Sequence, residues 1–571
     1  MQKITCHFDK AQYLPGEPVR LILPTHSALL SATFFRMERP VTLQAVREGD
    51  TLVLTDVPVG GYGVRISTED GVWEGAFDVV SDRRTEIRYG FLSDFSSGDG
   101  DRLDVEWMRD LHLNAVQFYD WMYRHDRLLP PTEQYDDPMG RQTDLSVISK
   151  KIEHCKACGI RPLAYGAVYA ATKDTFAAHP MWGMYTMDGQ PMTFAGWLYY
   201  MNVASSCGWA KHIVEEFRSA VRFGFSGIHM DTYGFPKRIW DAEHRPVELA
   251  DEFPHLIDAA AQAVREEAAD GGVIFNAVNN WPTETVAAAA QDAVYIEVWP
   301  PHDTYFDLYR LIREARLLSH RNVILAAYLK AFQGEDMDAA ERSFRLAWAV
   351  ISASGGTQLV LGENRSLLRD SYYVNYAHLR ESFLPIVQRN CDFLVRYKDL
   401  LYNDPGMDIG KTASGGINED VRFFSDACTF STDGQADTVW TLLRESRDRL
   451  TLHLINLTGN NAMWNEGKRE PTPAAGISAA IRLDRPVRGI YCASPDSECL
   501  AAQKLPYTAE QTKNGCIYTV KLPDVRCWTD DASVLQCRFA SPCTDAGADQ
   551  LHRAVDSLFP DDRRVCPVCD P

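Results

Sequence analysis

The chain has 571 residues and a formal net charge of −20. That length exceeds one ordinary hydrophobic core and predicts roughly two to four domains. The charge disfavours nucleic acid or an anionic membrane surface as a partner and is compatible with a neutral substrate.

Hydrophobic residues make up 45% and charged residues 24%, as in soluble globular proteins. The segment Met1–Lys10 lacks the apolar run of a secretory leader, and no stretch approaches the roughly 18 apolar residues of a membrane span. The 14 cysteines show no repeating spacing, so reduced thiols and a cytoplasmic location are expected, or secretion if a leader has been trimmed away.

Residues 1–86 read as all-β, with turn signals at Pro15-Gly16 and Gly60-Gly61 and strands at Val41–Val46 and Tyr62–Ile66. A small immunoglobulin-like sandwich is expected. From 87 to 402, short apolar runs alternate with amphipathic segments. Eight strands are expected: Tyr89–Asp94, Asn114–Asp120, Pro162–Tyr169, Gly227–Asp231, Val273–Asn276, Val294–Glu297, Val323–Tyr328 and Gln358–Glu363. Helices are expected at Leu145–Cys158, His255–Ala269, Asp303–Ser319 and Ala339–Ser352, where apolar spacings of three and four recur. This alternation predicts a (β/α)8 TIM barrel, which would bring the polar residues at the strand ends to one face.

Two connections are long for such a unit, Met122 to about Thr143 and Ala170 to about Ser206. The second carries Trp182, Tyr185, Trp197, Tyr199 and Tyr200, suited to a cleft wall or to packing within the loop. Residues 403–540 read as a second β-sandwich, with strands at Val421–Phe424, Thr438–Leu443 and Leu450–Leu457. The remainder, 541–571, reads as a tail. Its Cys566 and Cys569 make half a zinc site, and no second pair is spaced to complete it.

The chemistry gathers at the strand ends. Gly227–Asp231 and Val294–Glu297 each finish on a carboxylate. A paired nucleophile and general acid need two such groups in unlike surroundings. Ile296 and Val298 would help keep Glu297 protonated, and Thr232 and Tyr233 would donate to Asp231. Asp120 and Arg124 suit sugar hydroxyls, or each other. Asp94, Asn276, Asn279, Trp281, Tyr328 and Glu363 are expected at the rim, and His229 is expected as a core histidine. No phosphate loop, dinucleotide fingerprint or zinc-protease motif is present.

The run Asn114-Ala-Val-Gln-Phe-Tyr-Asp-Trp-Met-Tyr-Arg-His-Asp126, with Asp231-Thr-Tyr-Gly and Glu297-Val-Trp, resembles glycoside hydrolase family 66, which holds endo-dextranases and cycloisomaltooligosaccharide glucanotransferases. The resemblance covers about residues 1–540. It implies Asp231 as nucleophile, Glu297 as acid/base, and Tyr119, Asp120 and Trp121 on a glucose-binding subsite. It further implies cleavage of α-1,6-glucosidic bonds with retention, in dextran or isomaltooligosaccharides. Transglycosylation and glucan binding without turnover are the alternatives. The family's glucanotransferases commonly carry a domain-sized insertion in the barrel. None is visible here, which favours hydrolysis. No metal and no organic cofactor is expected.

Overall fold

The computed structural model describes residues 2–3, 5–25, 28–414, 418–497, 499–527 and the strand Val534–Phe539. The cysteine-bearing tail lies outside them. No helix among the described residues is long and apolar enough to cross a membrane.

The N-terminal segment forms two sheets. One holds Gly71–Val79, Gly60–Thr68, Leu29–Arg36 and Arg39–Val41; the other holds His7–Phe8, Val19–Ile22, Thr51–Thr55 and Gln44–Glu48. Phe8, Leu21, Leu54, Val64 and Phe77 share one apolar cluster. The strand expected at Val41–Val46 is divided between the sheets. Its second half, Gln44–Glu48, is exposed throughout and has no core face to set its register.

All eight expected central runs pair in parallel. The strands are β1 (Tyr89–Leu92), β2 (Ala115–Phe118), β3 (Arg161–Ala167), β4 (Gly227–Asp231), β5 (Gly272–Asn276), β6 (Val294–Glu297), β7 (Val323–Ala326), β8 (Thr357–Gln358) and β9 (Leu361–Gly362). Each of β1 to β7 is bonded to the next, β7 to β8, and β9 back to β1 through Phe91 and Gly362. The single strand expected at Gln358–Glu363 is therefore two short pieces. These strands are Val-, Ile- and Ala-rich and buried on both faces, as parallel strands between layers must be. Gly227 opens β4 because a Cβ there would lie 2.1 Å from the Gly272 carbonyl of β5.

Helices separate most of them: α1 (Leu103–Asp110), α2 (Leu145–Ala157), α3 (Gly208–Phe223), α4 (Leu249–Glu267), α5 (Tyr305–Ser319), α6 (Met337–Ala353) and α7 (Leu384–Arg396), while the α-helix between β5 and β6 is only the four residues Thr283–Val286. The spacing Leu308, Leu311, Ile312, Ala315 gives α5 its buried stripe, and Thr304 with Asp307 closes a capping box at its start. Helix α4 begins six residues before the expected His255, with acidic Asp251 and Glu252 in its first turn and Pro254 inside it.

The expected C-terminal strands fall in two further sheets. Val439–Ser446 and Arg449–Asn456 lie in one, and Val421–Phe424 in the other, beside Ser478–Leu483. A buried ion network joins the N-terminal sheets to the segment after α7. Arg88 Nη2 lies 2.9 Å from Asp78 Oδ1, and Lys398 Nζ lies 2.6 Å from Glu86 Oε2. Burial pushes the Asp78 carboxyl up, but Arg88 and Lys398 outweigh it and hold the group at about 2.

Candidate active site

Asp231, Asn276 and Glu297 are the last residues of β4, β5 and β6. Parallel pairing of these adjacent strands brings the three side chains together at one end. They line a cleft of about 630 Å³. The Asn276 amide nitrogen donates to Asp231 Oδ1 at 2.7 Å and to Glu297 Oε2 at 3.1 Å. Two oxygens held by one nitrogen at those lengths are at most about 6 Å apart, so the two carboxyls approach each other across the Asn276 amide.

Both carboxyls are shifted. Burial raises Asp231 to about 6, against donors on Asn276, Tyr165 and the Thr232 backbone. Burial and the nearby Asp231 charge raise Glu297 to about 7, against donors on Asn276, Tyr328 and Trp299. Tyr328 Oη donates to Glu297 Oε1 at 3.0 Å. Both carboxyls are thus raised by burial, and the Asp231 charge adds to the shift at Glu297 alone.

The donors to Asp231 are only in part those expected: the Thr232 backbone is among them, but the Thr232 side chain and Tyr233 are not. Thr232 sends its hydroxyl to the Asn276 carbonyl, and the Tyr233 backbone donates to the Tyr169 hydroxyl. Tyr165 Oη instead reaches Asp231 Oδ2 at 2.7 Å. The signal for Tyr165 was present in the register: Ala167 pairs with Asp231 and Tyr165 with His229, so both side chains of the second pair share the face of Asp231. His229 is buried between Tyr89 and Tyr165 rings, and burial lowers it to about 3, so it is neutral.

Tyr119, Asp120, Asn276, Asn279, Trp281 and Tyr328 line the cleft as expected. Asp120 sits in a left-handed backbone conformation, φ 50°, and burial raises its carboxyl to about 7 despite Arg141. Arg124 does not pair with it. That guanidinium lies over the Tyr123 ring and donates to the carbonyls of Tyr123 and Asp136.

Three expected site residues do not line the cleft. Trp121 is fully buried, gives its indole N–H to the Tyr165 carbonyl at 3.1 Å and packs on Phe225. Asp94 accepts from the Ser96 backbone N–H at 2.9 Å. Glu363 is fully buried and accepts from the Ser93 hydroxyl and from the Ser93 and Asp94 backbone. With Asp99 and Asp104, Glu363 forms a carboxylate triplet within metal-binding reach. The buried Lys151 ammonium reaches Asp99 and Asp104 and supplies the balancing charge.

Sequence reasoning passed over Tyr373, which stacks on Tyr119 at 4.3 Å and meets the Tyr295 hydroxyl at 3.2 Å. It lies after the last parallel strand, in a segment with no periodic signal. Of the aromatics expected on the 170–206 excursion, Trp197 lines the cleft, together with Phe194 from the same excursion. Tyr200 is buried, Tyr199 stacks on Phe176, and Trp182 stacks on His179.

Residues 8–530 match the model of glycosyl hydrolase family 66. The chain belongs to that family, and it is a glycoside hydrolase. A cycloisomaltooligosaccharide glucanotransferase from Niallia circulans is 24% identical over 699 aligned positions, covering 91% of this chain and 71% of that protein. A dextranase from Streptococcus salivarius is 23% identical over 502 positions, covering 75% of this chain and 60% of that one. In structure, the chain is similar to a Paenibacillus sp. cycloisomaltooligosaccharide glucanotransferase complexed with cycloisomaltoheptaose. The TM-score is 0.83 at 20% identity, covering 94% of this chain and 99% of that one.

Proposed function

We propose that this enzyme is endo-acting and cleaves α-1,6-glucosidic bonds in dextran or isomaltooligosaccharides with retention of configuration. The observation that carries the mechanism is the Asn276 amide held between Asp231 and Glu297. Asp231, the carboxylate with the lower pKa, attacks the anomeric carbon. Glu297 gives its proton to the departing glycosidic oxygen. The covalent glucosyl–Asp231 ester is then opened by a water from which Glu297, now ionised, takes a proton. The family's dextranase and glucanotransferase relatives supply the bond type.

The parallel order and the return of β9 to β1 support a closed (β/α)8 barrel between an N-terminal and a C-terminal sandwich, and that three-domain division is part of the same reading. The transglycosylase alternative draws on the glucanotransferase relatives. Against it, the Niallia circulans alignment runs over 699 positions while this chain has 571 residues, so that relative carries segments without counterpart here. Action inside the cell is likewise a proposal, tested by locating the native protein.

The test is the configuration of the first product. Proton NMR during dextran cleavage should show the α-anomer appearing before mutarotation, and early β-anomer would refute retention. Asp231→Ala should abolish turnover. In the glycosylation step, read as kcat/KM, Glu297→Gln should be crippled on dextran and far less so on an α-glucosyl fluoride, whose leaving group needs no proton.

A further inference from the structure

The acid/base does not stand on its own loop alone. After Glu297 the chain runs through Trp299, Pro300, Pro301 and His302 to Thr304, the cap of α5. Trp299 lines the cleft beside Glu297 and lies edge-on to Tyr328, whose hydroxyl donates to that carboxylate. The Trp299 carbonyl accepts from the His302 backbone at 3.1 Å.

Against this loop lies a segment from the C-terminal sheets, residues 460–470, which follows the strand Arg449–Asn456. Trp464 gives its indole N–H to the His302 carbonyl at 2.8 Å and its backbone N–H to the Asp303 carbonyl at 3.0 Å. The Tyr305 N–H donates to the Ala462 carbonyl at 2.9 Å, and the Lys330 N–H, from the loop after β7, donates to Asn465 Oδ1 at 2.8 Å. Trp464 is 2% exposed. Lys468, equally buried, ties the segment to itself by donating to Asn461 Oδ1 and the Met463 carbonyl, with its ammonium over the Tyr305 ring.

We infer that residues 460–470 act as a strap by which the C-terminal sheets position the acid/base, through Trp464, His302 and Trp299. The contacts are directional bonds to backbone carbonyls and a buried indole, so they fix the loop rather than merely cover it. A carboxyl that must deliver a proton to one glycosidic oxygen is sensitive to displacements well below a bond length. Trp464 touches neither substrate nor either carboxylate. It is a positioning residue, and the inference rests on the assignment of Glu297 as acid/base.

The experiment uses the full chain carrying Trp464→Phe, which keeps an aromatic ring and removes the N–H to His302, and separately Asn465→Ala, which frees Lys330. Each is assayed on dextran and on α-isomaltosyl fluoride, with melting temperature as the check on folding. A displaced acid predicts a kcat/KM on dextran lower by about five- to tenfold, with kcat/KM for the fluoride, which reports formation of the glycosyl-enzyme and needs no proton, within about twofold of the parent. Equal losses on both substrates, or no loss on either, would overturn the strap. Glu297→Gln is run alongside. If that variant lacks the difference between substrates, the acid/base assignment fails, and it fails separately from the strap.

Discussion

Tyr165 and Asp231 meet across adjacent strands, with the phenol hydroxyl 2.7 Å from Asp231 Oδ2. That bond favours the ionised carboxylate in a site whose burial opposes it. Tyr165→Phe should raise the Asp231 pKa from its value of about 6. The acid limb of kcat/KM should move to higher pH, and the loss of rate should be larger at pH 5.5 than at pH 7.5. An unmoved limb would mean the phenol does not tune the nucleophile.

The pH profile of the parent enzyme follows from both carboxyls. The proposed mechanism requires Asp231 ionised and Glu297 protonated, with pKa values of about 6 and about 7. A narrow bell with its maximum between those limbs is expected in kcat/KM. The limbs belong to the pair, because the Asp231 charge is one cause of the Glu297 shift. A flat profile from pH 5 to 9 would contradict the assignment.

Stability should show the same shift with the opposite benefit. A carboxyl whose folded pKa is raised stabilises the fold below its unfolded pKa, and that contribution is lost as pH rises through the folded value. For Glu297 the window runs from about 4.5 to about 7. Glu297→Gln removes the buried charge, so its melting temperature relative to the parent should climb between pH 5 and pH 8. The gain should be on the order of 2–3 kcal/mol. A difference independent of pH would show that Glu297 is not strained by ionisation.

Trp121 and Trp197 should separate packing from binding. Trp121→Ala opens a cavity beneath the cleft and should cost about 3–5 kcal/mol of stability. Trp197 is 43% exposed on the cleft wall. Trp197→Ala should leave the melting temperature nearly unchanged and raise KM for dextran, consistent with a lost aromatic face worth about 0.5–1.5 kcal/mol. A lower melting temperature for Trp197→Ala, with KM unchanged, would reverse the two roles.

These residues also mark what the sequence discloses. Strands buried on both faces announce themselves as short apolar runs, and a carboxylate at the end of such a run is visible at once, as with Asp231 and Glu297. What lies across the ladder is hidden. Tyr165 belongs to the site only through its register with β4, and Tyr373 only through the return of an irregular segment. Trp121 directly follows Tyr119 and Asp120, yet its side chain turns into the core. Motif membership alone could not separate it from them. Glu363 follows the final strand piece and resembles the other strand-end acids in sequence, but its oxygens are taken by Ser93 and Asp94.

The buried network of Asp78, Glu86, Arg88 and Lys398 bears on how the chain is made. Glu86 and Lys398 are 312 positions apart. During synthesis at about 5–20 residues per second, the first partner therefore waits roughly 15–60 seconds for the second to leave the ribosome. Until then Asp78 has Arg88 as its partner in the network, while Glu86 lacks its lysine. The N-terminal sheets must accordingly stay hydrated at that face, keeping it open as a docking surface until α7 and the segment after it arrive. Timing on the ribosome, as much as packing in the finished molecule, is written into that ion pair.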